Sequence, residues 1–185
     1  DVSMELLSKD CSELVFNGDF SNGTSAFWSK QGSLQAQLSM VNMNGNTALR
    51  MTGRRNAQDT MTQEIRLGCL TPGERYEVSA RVRLSRRCNT SSQAVASRCP
   101  VMRLRSRIGA RQFGHAGNSV AQMDHDVTND GWQTMSGFFL ATDNDENAER
   151  TILSFSNARV GDDLVVDDVS IKPVARSCAN LFTNG

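Results

Sequence analysis

The chain has 185 residues, of which 38% are hydrophobic and 22% charged, and its 20 basic and 20 acidic residues cancel to a formal net charge of zero. This length allows one well-buried core and predicts a single globular domain. No apolar run approaches the length of a membrane span, and a neutral chain in which aromatic residues make up only 6% argues against a nucleic-acid-binding surface.

Alternation of apolar and polar residues with a period of two predicts six strands. In chain order they cover residues 61–67, 75–84, 101–108, 131–141, 150–158 and 164–171. Turn-forming sequences separate them, such as TPGE at 71–74 and DNDEN at 143–147. Only residues 1–9 have a pattern that fits a helical turn. We therefore predict an all-β domain, a two-sheet antiparallel β-sandwich.

Arginine occupies the outward positions of two predicted strands. The strands over 75–84 and 101–108 carry it in alternation with apolar residues, at Arg81, Arg83, Arg103, Arg105 and Arg107. If the two strands are antiparallel neighbours, the five arginines share one face. Like charges side by side are unfavourable there unless an anion covers them, either a carboxylate of this chain or an anionic ligand.

The zero net charge hides a segregation along the chain. Residues 50–111 contain 14 Arg and four acidic residues, whereas residues 112–170 contain two Arg and 11 acidic residues. Two explanations are open. The two segments pair with each other inside the fold, or the basic segment of one copy docks onto the acidic segment of another copy.

Two octapeptides near the ends of the chain resemble each other. Residues 11–18 read CSELVFNG and residues 178–185 read CANLFTNG, with Cys, Leu, Asn and Gly at matching positions. The match predicts a tandem repeat with a period of 167 residues, from Cys11 to Cys178. On this interpretation residues 1–10 are an extension, 11–175 form one module, and 176–185 are a linker and the start of the next copy.

Five cysteines in a chain of this size indicate an oxidising compartment. If Cys178 belongs to the next copy, an even set remains. Cys88 and Cys99 bracket a polar loop and would pair, which leaves Cys11 for Cys69. The alternative pairs Cys11 with Cys178 and leaves Cys69 free.

Other features predict a secreted protein without catalysis. The N-x-S/T sequons at Asn22 and Asn89 fit an exported glycoprotein. His125 lies between Asp124 and Asp126, but neighbouring side chains of an extended segment point in opposite directions and do not converge on one reacting group. No nucleophile motif accompanies either histidine. The sequence therefore predicts a binding or structural module rather than an enzyme.

The order of landmarks resembles that of carbohydrate-binding modules of the family 4, 9 and 22 type over residues 13–174. These landmarks are LVFNGDF (14–20), AFWS (26–29), NTALRM (46–51), LTPGERYEVSARVRL (70–84), GWQTMSGFFLA (131–141) and LVVDDVSI (164–171). The resemblance implies a jelly-roll sandwich with a galactose-binding-like architecture. It also implies a structural Ca²⁺ held near Asp19, Ser21 and Asp167, although Ser21 stands where the family commonly has Glu.

The resemblance further implies a glycan cleft on the concave sheet, with aromatic rings that stack on sugars. Trp28, Tyr76 and Trp132 match structural positions, and Asp59 and Thr60 stand where related modules carry an aromatic platform. We therefore predict that arginine replaces stacking, and that an anionic uronic or sulfated polysaccharide is the ligand. The candidate ligand-binding residues are Arg81, Arg83, Arg103, Arg105, Arg107, Arg111, Phe113 and Arg150, with Asn118 and Gln122 as further hydroxyl partners. The alternative is a structural repeat that assembles an extracellular array without binding sugar.

Overall fold

The computed structural model describes residues 10–56, 58–91, 99–114, 119–127 and 131–175. Within them the protein is all-β, as predicted, with eleven strands and one short helix. The strands are β1 (Trp28–Gln31), β2 (Gln37–Met43), β3 (Asn46–Thr52), β4 (Thr60–Glu64), β5 (Arg75–Leu84), β6 (Val101–Ile108), β7 (Arg111–Gly114), β8 (Ala121–Met123), β9 (Gln133–Leu140), β10 (Arg150–Ser156) and β11 (Leu164–Pro173), and the helix is α1 (Asp143–Glu146). No helix of this described part is long and apolar enough to cross a membrane.

All pairings between these strands are antiparallel and follow the order β1-β4-β10-β6-β8-β9-β5-β11-β3-β2, with β7 paired to β6. The short strand β8 joins two halves of this sheet. We call β1, β4, β10, β6 and β7 the front half, and β9, β5, β11, β3 and β2 the back half. Both halves contribute to one hydrophobic core, which is the packing of a β-sandwich.

The core follows from the alternation of side chains along each strand. In β5, Tyr76, Val78, Ala80, Val82 and Leu84 are buried while the intervening residues are not. In β10 of the front half, Leu153 and Phe155 face the same interior. Since burying a large apolar side chain stabilises by about 1.5–3 kcal/mol, this pattern fixes which face of every strand is outward.

The opening segment closes the sandwich at one end. The Leu14 amide donates to the Ile171 carbonyl at 2.9 Å, and the Arg66 amide donates to the Leu14 carbonyl at 3.0 Å. The Gln63 side chain bonds both backbone groups of Phe16. Residues 14–16 therefore bridge β11 of the back half to the end of β4 in the front half.

Two disulfides have the predicted pairing. Cys11 bonds Cys69, and Cys88 bonds Cys99 across the polar loop. The first joins the opening segment to the loop before β5, and the second closes an 11-residue separation. Residues 1–9 and 176–185, which include Cys178 and the predicted start of a second copy, lie outside the described residues, so the repeat and the domain limits remain predictions.

The sequence patterns missed five strands, β1, β2, β3, β7 and β8. The hairpin between β2 and β3 turns at Asn44 and Gly45, which have φ values of 57° and 91°, and a two-residue Asn-Gly loop with positive φ is a typical hairpin turn. The turn predicted over residues 143–147 is the helix α1, where Thr142 and Asp145 form a capping box.

Candidate functional site

The five arginines predicted to share one face do not share it. That prediction assumed that β5 and β6 are neighbours, but β5 pairs with β9 and β11, whereas β6 pairs with β10, β7 and β8. The outward side of β5 is the outer surface of the back half, and that of β6 is the outer surface of the front half. Arg81 and Arg83 therefore lie on the opposite side of the sandwich from Arg103, Arg105 and Arg107.

Several arginines outside the front half are neutralised within the chain. Arg50 forms an ion pair with Asp163, Arg81 with Asp168 at 3.1 Å, and Arg86 with Asp162 at 3.2 Å. The Arg81 guanidinium also lies 4.8 Å from the centre of the half-buried Trp132 ring. Each ion pair joins the basic segment to the acidic one. These three ion pairs therefore pair part of the basic segment with the acidic segment inside the fold.

The outward face of the front half has a floor of small hydroxyl side chains. The register of β1, β4, β10 and β6 aligns Ser29, Thr62, Ser154 and Arg103 in one row. Ser29 Oγ lies 3.0 Å from Thr62 Oγ1, and Ser154 Oγ lies 3.5 Å from the Arg103 carbonyl oxygen. We call these four residues the hydroxyl row; Ser29 is exposed, Thr62 and Ser154 are buried, and Arg103 is the one large side chain in it.

Arg103 at the end of the hydroxyl row is poised for a polar ligand. It is partly buried, and its Nε atom is buried without a hydrogen-bond partner among the described residues. Burial lowers the pKa of its guanidinium, and the neighbouring Arg105 lowers it further. An unsatisfied donor of this kind costs about 1–3 kcal/mol, so an acceptor from a ligand would be stabilising here.

Two further rows run beside the hydroxyl row on the same face. One aligns Glu64, Ile152 and Arg105, and the other aligns Arg150 with Arg107. Arg150 Nε donates to Glu64 Oε2 at 2.7 Å, and Arg107 Nε donates to the Gly109 carbonyl at 2.7 Å. Four of the candidate ligand residues, Arg103, Arg105, Arg107 and Arg150, therefore share one face.

The remaining ligand candidates lie at the edge of this face or outside the description. Arg111 and Phe113 are on β7, the strand beside β6; Arg111 is exposed and Phe113 is half-buried. The register places Phe113 opposite Ser106, whose side chain is buried. Gln122 lies opposite Val101 at the far end of β6. Asn118 and His115 lie outside the described residues.

Three residues proposed from the resemblance as calcium ligands do line one pocket. A cavity of about 290 Å³ is bordered by Asp19, Ser21, Gly45, Asn46, Thr47, Asp167 and Asp168. Asp167 is only 2% exposed; burial raises the pKa of its carboxyl, and the charges of Asp168 and Asp19 raise it further. A β-bulge between Asp167 and Ser170 brings Asp168 to the same pocket with φ of 49°.

The oxygen atoms that line this pocket are of the type that binds a hard cation, but they are not arranged around one common point. Three carboxylates border the pocket, and calcium prefers carboxylate and carbonyl oxygen. Asp167 Oδ1 accepts from the Asp168 amide, and its Oδ2 lies 3.9 Å from Arg81. Among the described residues, no group of three or more His, Cys, Asp or Glu is arranged as a preformed metal site.

Asp59 stands where the family resemblance implies an aromatic ring, and its side chain has a structural role. Its carboxylate is fully buried and accepts hydrogen bonds from the amides of Ser33, Arg55 and Asn56 and from the Ser33 hydroxyl. Burial alone would raise the pKa of Asp59, but these bonds hold it well below its ordinary value. The side chain therefore organises two loops.

The acidic cluster around His125 does not converge. His125 Nδ1 bonds the Asp124 carboxylate and its Nε2 lies 2.9 Å from Gln133 Oε1. The Asp126 carboxylate instead accepts from the backbone amide and hydroxyl of Thr90 at 2.7 and 2.9 Å. The two aspartates thus have different partners, as the alternation along the chain predicted.

Part of the chain is similar to a known protein family. Residues 12–98 match the family profile of a carbohydrate binding domain, CBM_4_9. A little under half of the chain is therefore similar to this carbohydrate-binding module family. The matched profile is that of a binding domain, which agrees with the resemblance drawn from the sequence.

Solved structures extend the likeness to most of the module. The CBM22-1 xylan-binding domain of Paenibacillus barcinonensis Xyn10C superposes with a TM-score of 0.63 at 18% identity, over 85% of this chain and 92% of that domain. The C-terminal family 22 carbohydrate binding module of Clostridium thermocellum Xyn10B gives 0.64 at 13% identity, over 89% and 96%. At such identities the likeness establishes the fold, a CBM-type β-sandwich.

A curated relative is the Endo-1,4-beta-xylanase A of Thermoanaerobacterium saccharolyticum. It is 29% identical over 126 residues, which are 68% of this chain and 10% of that protein. This module thus spans about a tenth of the length of the relative that it matches.

Sequence reasoning missed the hydroxyl row and Glu64. The signal was present in TMTQE (60–64), where Thr60, Thr62 and Glu64 recur with a period of two opposite the buried Met61 and Gln63. What the pattern does not contain is the strand order that aligns this face with Ser154 and Arg103.

Proposed function

We propose that this module binds a xylan-type polysaccharide along the outward face of the front half, without catalysing its cleavage. The hydroxyl row ending at Arg103 carries the proposal, because it is a polar strip across four strands that ends at a buried donor without a hydrogen-bond partner among the described residues. The relatives support the choice of polymer, since their names include a xylan-binding domain and a xylanase. The module would hold its host protein on the polymer.

The ligand would lie across the strands. Neighbouring strands are about 4.8 Å apart, so the path from β1 to β6 is about 14 Å long, which suits an oligosaccharide better than a single sugar. The hydroxyls of Ser29, Thr62 and Ser154 can donate to or accept from sugar hydroxyls, and Arg103 donates. A ligand that satisfies the buried Nε of Arg103 is favoured over one that leaves it unpaired.

We further propose that acidic substituents strengthen binding. Within the described residues no carboxylate forms an ion pair with Arg103, Arg105 or Arg107, in contrast to Arg50, Arg81 and Arg86. Guanidinium groups bind carboxylate and sulfate through paired, charge-assisted hydrogen bonds. Polymers that carry uronate or sulfate groups should therefore bind this face more tightly than neutral chains do, and the difference should shrink with salt.

A blocking substitution tests the site. Ser154→Trp places a large ring on the floor of the front face, and Ser136→Trp places the same ring on the exposed outward surface of the back half. Binding to xylohexaose and to soluble xylan is measured by calorimetry, with thermal unfolding as a check on folding. Loss of binding in Ser154→Trp alone supports the front face as the binding site. Equal binding by both variants excludes the front face. A wild-type protein that binds none of the glycans overturns the proposed function.

We also propose a structural calcium ion at the pocket of Asp19, Ser21 and Asp167. The support is the acid-bordered pocket, the burial of Asp167 in its wall, and its position beside the bulge of β11. When bound, the ion would neutralise the carboxylates and tie the opening segment to β11. Its role would be stability rather than contact with sugar.

Assembly of copies through opposite charges is less well supported. The ion pairs of Arg50, Arg81 and Arg86 already join the basic and acidic segments within one chain. The two disulfides are consistent with a secreted protein, which is the setting that we propose for the module.

A further inference from the structure

We propose that Phe27 is an aromatic stacking platform for a terminal sugar ring of the polysaccharide bound on the front face; this inference rests on the function proposed above. Phe27 is 65% exposed and borders an open hollow lined mainly by apolar side chains.

The backbone holds Phe27 in a strained conformation. Its φ is 72°, in the left-handed region that bulky residues rarely adopt. The local turn fixes it there: the Trp28 amide donates to the Ser25 carbonyl at 3.0 Å, and the Asn17 side chain donates to the Thr24 carbonyl at 2.8 Å. Strain of this kind costs about 1–3 kcal/mol and persists where surrounding structure imposes it, often at ligand sites.

A stack of planar groups supports one face of the ring. The Phe27 and Phe16 rings are stacked, with centroids 5.0 Å apart and an angle of 27° between the ring planes. The Arg66 guanidinium lies 4.3 Å from the centroid of Phe16. Phe16 is itself held by the two hydrogen bonds between its backbone and the Gln63 side chain. The ring of Phe27 is therefore positioned in advance, and ordering it would cost little on binding.

The platform lies beside the β1 end of the proposed ligand path, in the row next to that of Ser29. The register of β1 and β4 pairs Trp28 with Gln63, so its continuation by one residue brings Phe27 to Glu64. Phe27 and Glu64 border the same open hollow of about 410 Å³, together with Phe16, Ile65, Arg66 and Leu67. Glu64 belongs to the row of the front face that also contains Ile152 and Arg105.

The chemistry of the hollow fits a sugar. A pyranose presents C–H groups on its faces and hydroxyls around its rim, and the negative face of an aromatic ring attracts such C–H groups. The Glu64 carboxylate, oriented by Arg150 at 2.7 Å, supplies acceptors for the rim hydroxyls. A hollow lined by six residues is far smaller than the roughly 800 Å² that each partner buries in a stable protein interface.

The experiment compares Phe27→Ala and Phe27→Trp with the wild-type protein, and uses Phe138→Ala as the matched control. Phe138 is 49% exposed on the back half, beneath Arg75 at 3.9 Å, outside the proposed path. Dissociation constants for xylotetraose, xylohexaose and soluble xylan are measured by calorimetry. The aromatic proton resonances of Phe27, assigned by comparison with Phe27→Ala, are followed by NMR during titration.

We expect Phe27→Ala to weaken binding of the longer ligands at least fivefold, Phe27→Trp to retain it, and Phe138→Ala to match the wild type. The Phe27 ring resonances should shift with sugar. Wild-type binding that Phe27→Ala leaves unchanged, or ring resonances that stay fixed at saturation, would overturn the platform while leaving the front-face function intact. A wild-type protein that binds none of the glycans overturns both, so the two failures are distinguishable.

Discussion

Asp59 and Ser33 connect two loops through a pair of hydrogen bonds to one buried carboxylate. Asp59 Oδ1 accepts from the Ser33 amide at 2.6 Å and Oδ2 accepts from the Ser33 hydroxyl at 2.8 Å. Oδ2 also accepts from the amides of Arg55 and Asn56. The loop before β2 and the loop before β4 are therefore held by the same charged group. The family resemblance implies a sugar-binding ring at this position.

Asp59→Asn should lower the free energy of unfolding by about 2 kcal/mol, because a neutral amide replaces an acceptor of several charge-assisted hydrogen bonds. The pKa of Asp59 is depressed in the folded state, so its contribution is present above the unfolded pKa of about 3.9 and is lost as pH falls below it. Denaturant unfolding across pH measures both effects. Asp124→Asn, at an exposed site, is the control; identical pH profiles for Asp59→Asn and the wild type would contradict the prediction.

The two disulfides should differ in their contribution to stability. Cys11 and Cys69 are 58 residues apart, and Cys88 and Cys99 are 11 apart. Loop-closure entropy predicts about 4 kcal/mol for the long loop and about 3 kcal/mol for the short one. Replacing each pair with two serines and comparing denaturant midpoints tests the order. A larger loss on removal of Cys88–Cys99 would mean that this loop has native contacts beyond its cross-link.

Asp167→Asn should have opposite effects with and without calcium. Because burial raises the pKa of Asp167, its ionised form opposes folding, and stability falls as pH rises from the unfolded pKa through the folded one. Without calcium at neutral pH, the variant should therefore be as stable as the wild type or more stable. With calcium at 100 times its dissociation constant, the wild type should gain about 2.7 kcal/mol and the variant little.

Thermal unfolding in calcium, magnesium and chelator measures this difference. Asp163→Asn serves as a comparison, since Asp163 pairs with Arg50 away from the pocket. A wild-type melting temperature that calcium leaves unchanged would remove the proposed ion while leaving the glycan site untouched.

Arg103→Ala combined with Arg105→Ala should weaken binding to uronate-bearing polymers by tenfold or more, since charged hydrogen bonds contribute about 1.5–3 kcal/mol each. Arg81→Ala combined with Arg83→Ala makes the same charge change on the back half and should leave the affinity unchanged. Affinity is measured at low and high salt, and the difference between neutral and acidic polymers should shrink as salt rises. Equal losses in both double variants would point to general charge rather than to the front face.

The sequence was sufficient for the fold class and the facing of the long strands, and one of its two alternative cysteine pairings is the one that the structure has. In β5 and β6 the alternation is long and unbroken, and the structure has these strands at the predicted residues, Arg75–Leu84 and Val101–Ile108. The pairing of strands was not available, because alternation states which side chains face the core and says nothing about which strand lies alongside. Arg81 and Arg103 were therefore placed on one surface and are on opposite ones.

Most of the features that the sequence did not predict are short strands and residues with a strained backbone. β1, β7 and β8 have three or four residues each, too few for a periodic signal, and they exist because longer strands offer them unpaired edges. Asn44 and Gly45 were a readable hairpin signal. The exposure of Phe27 could not be predicted, because the sequence of Phe27 and Trp28 does not indicate which of the two rings the turn directs outward.

The bridge formed by residues 14–16 has a consequence for protein engineering. Glu13 accepts from the Ile171 amide and the Ser170 hydroxyl, and Lys172 lies 3.7 Å from it, so the beginning and the end of the described module run side by side. Adjacent ends favour circular permutation. A permutant that links residue 175 to residue 10 and opens the chain between Asn44 and Gly45 should fold, and would present a fusion partner from the β2–β3 hairpin.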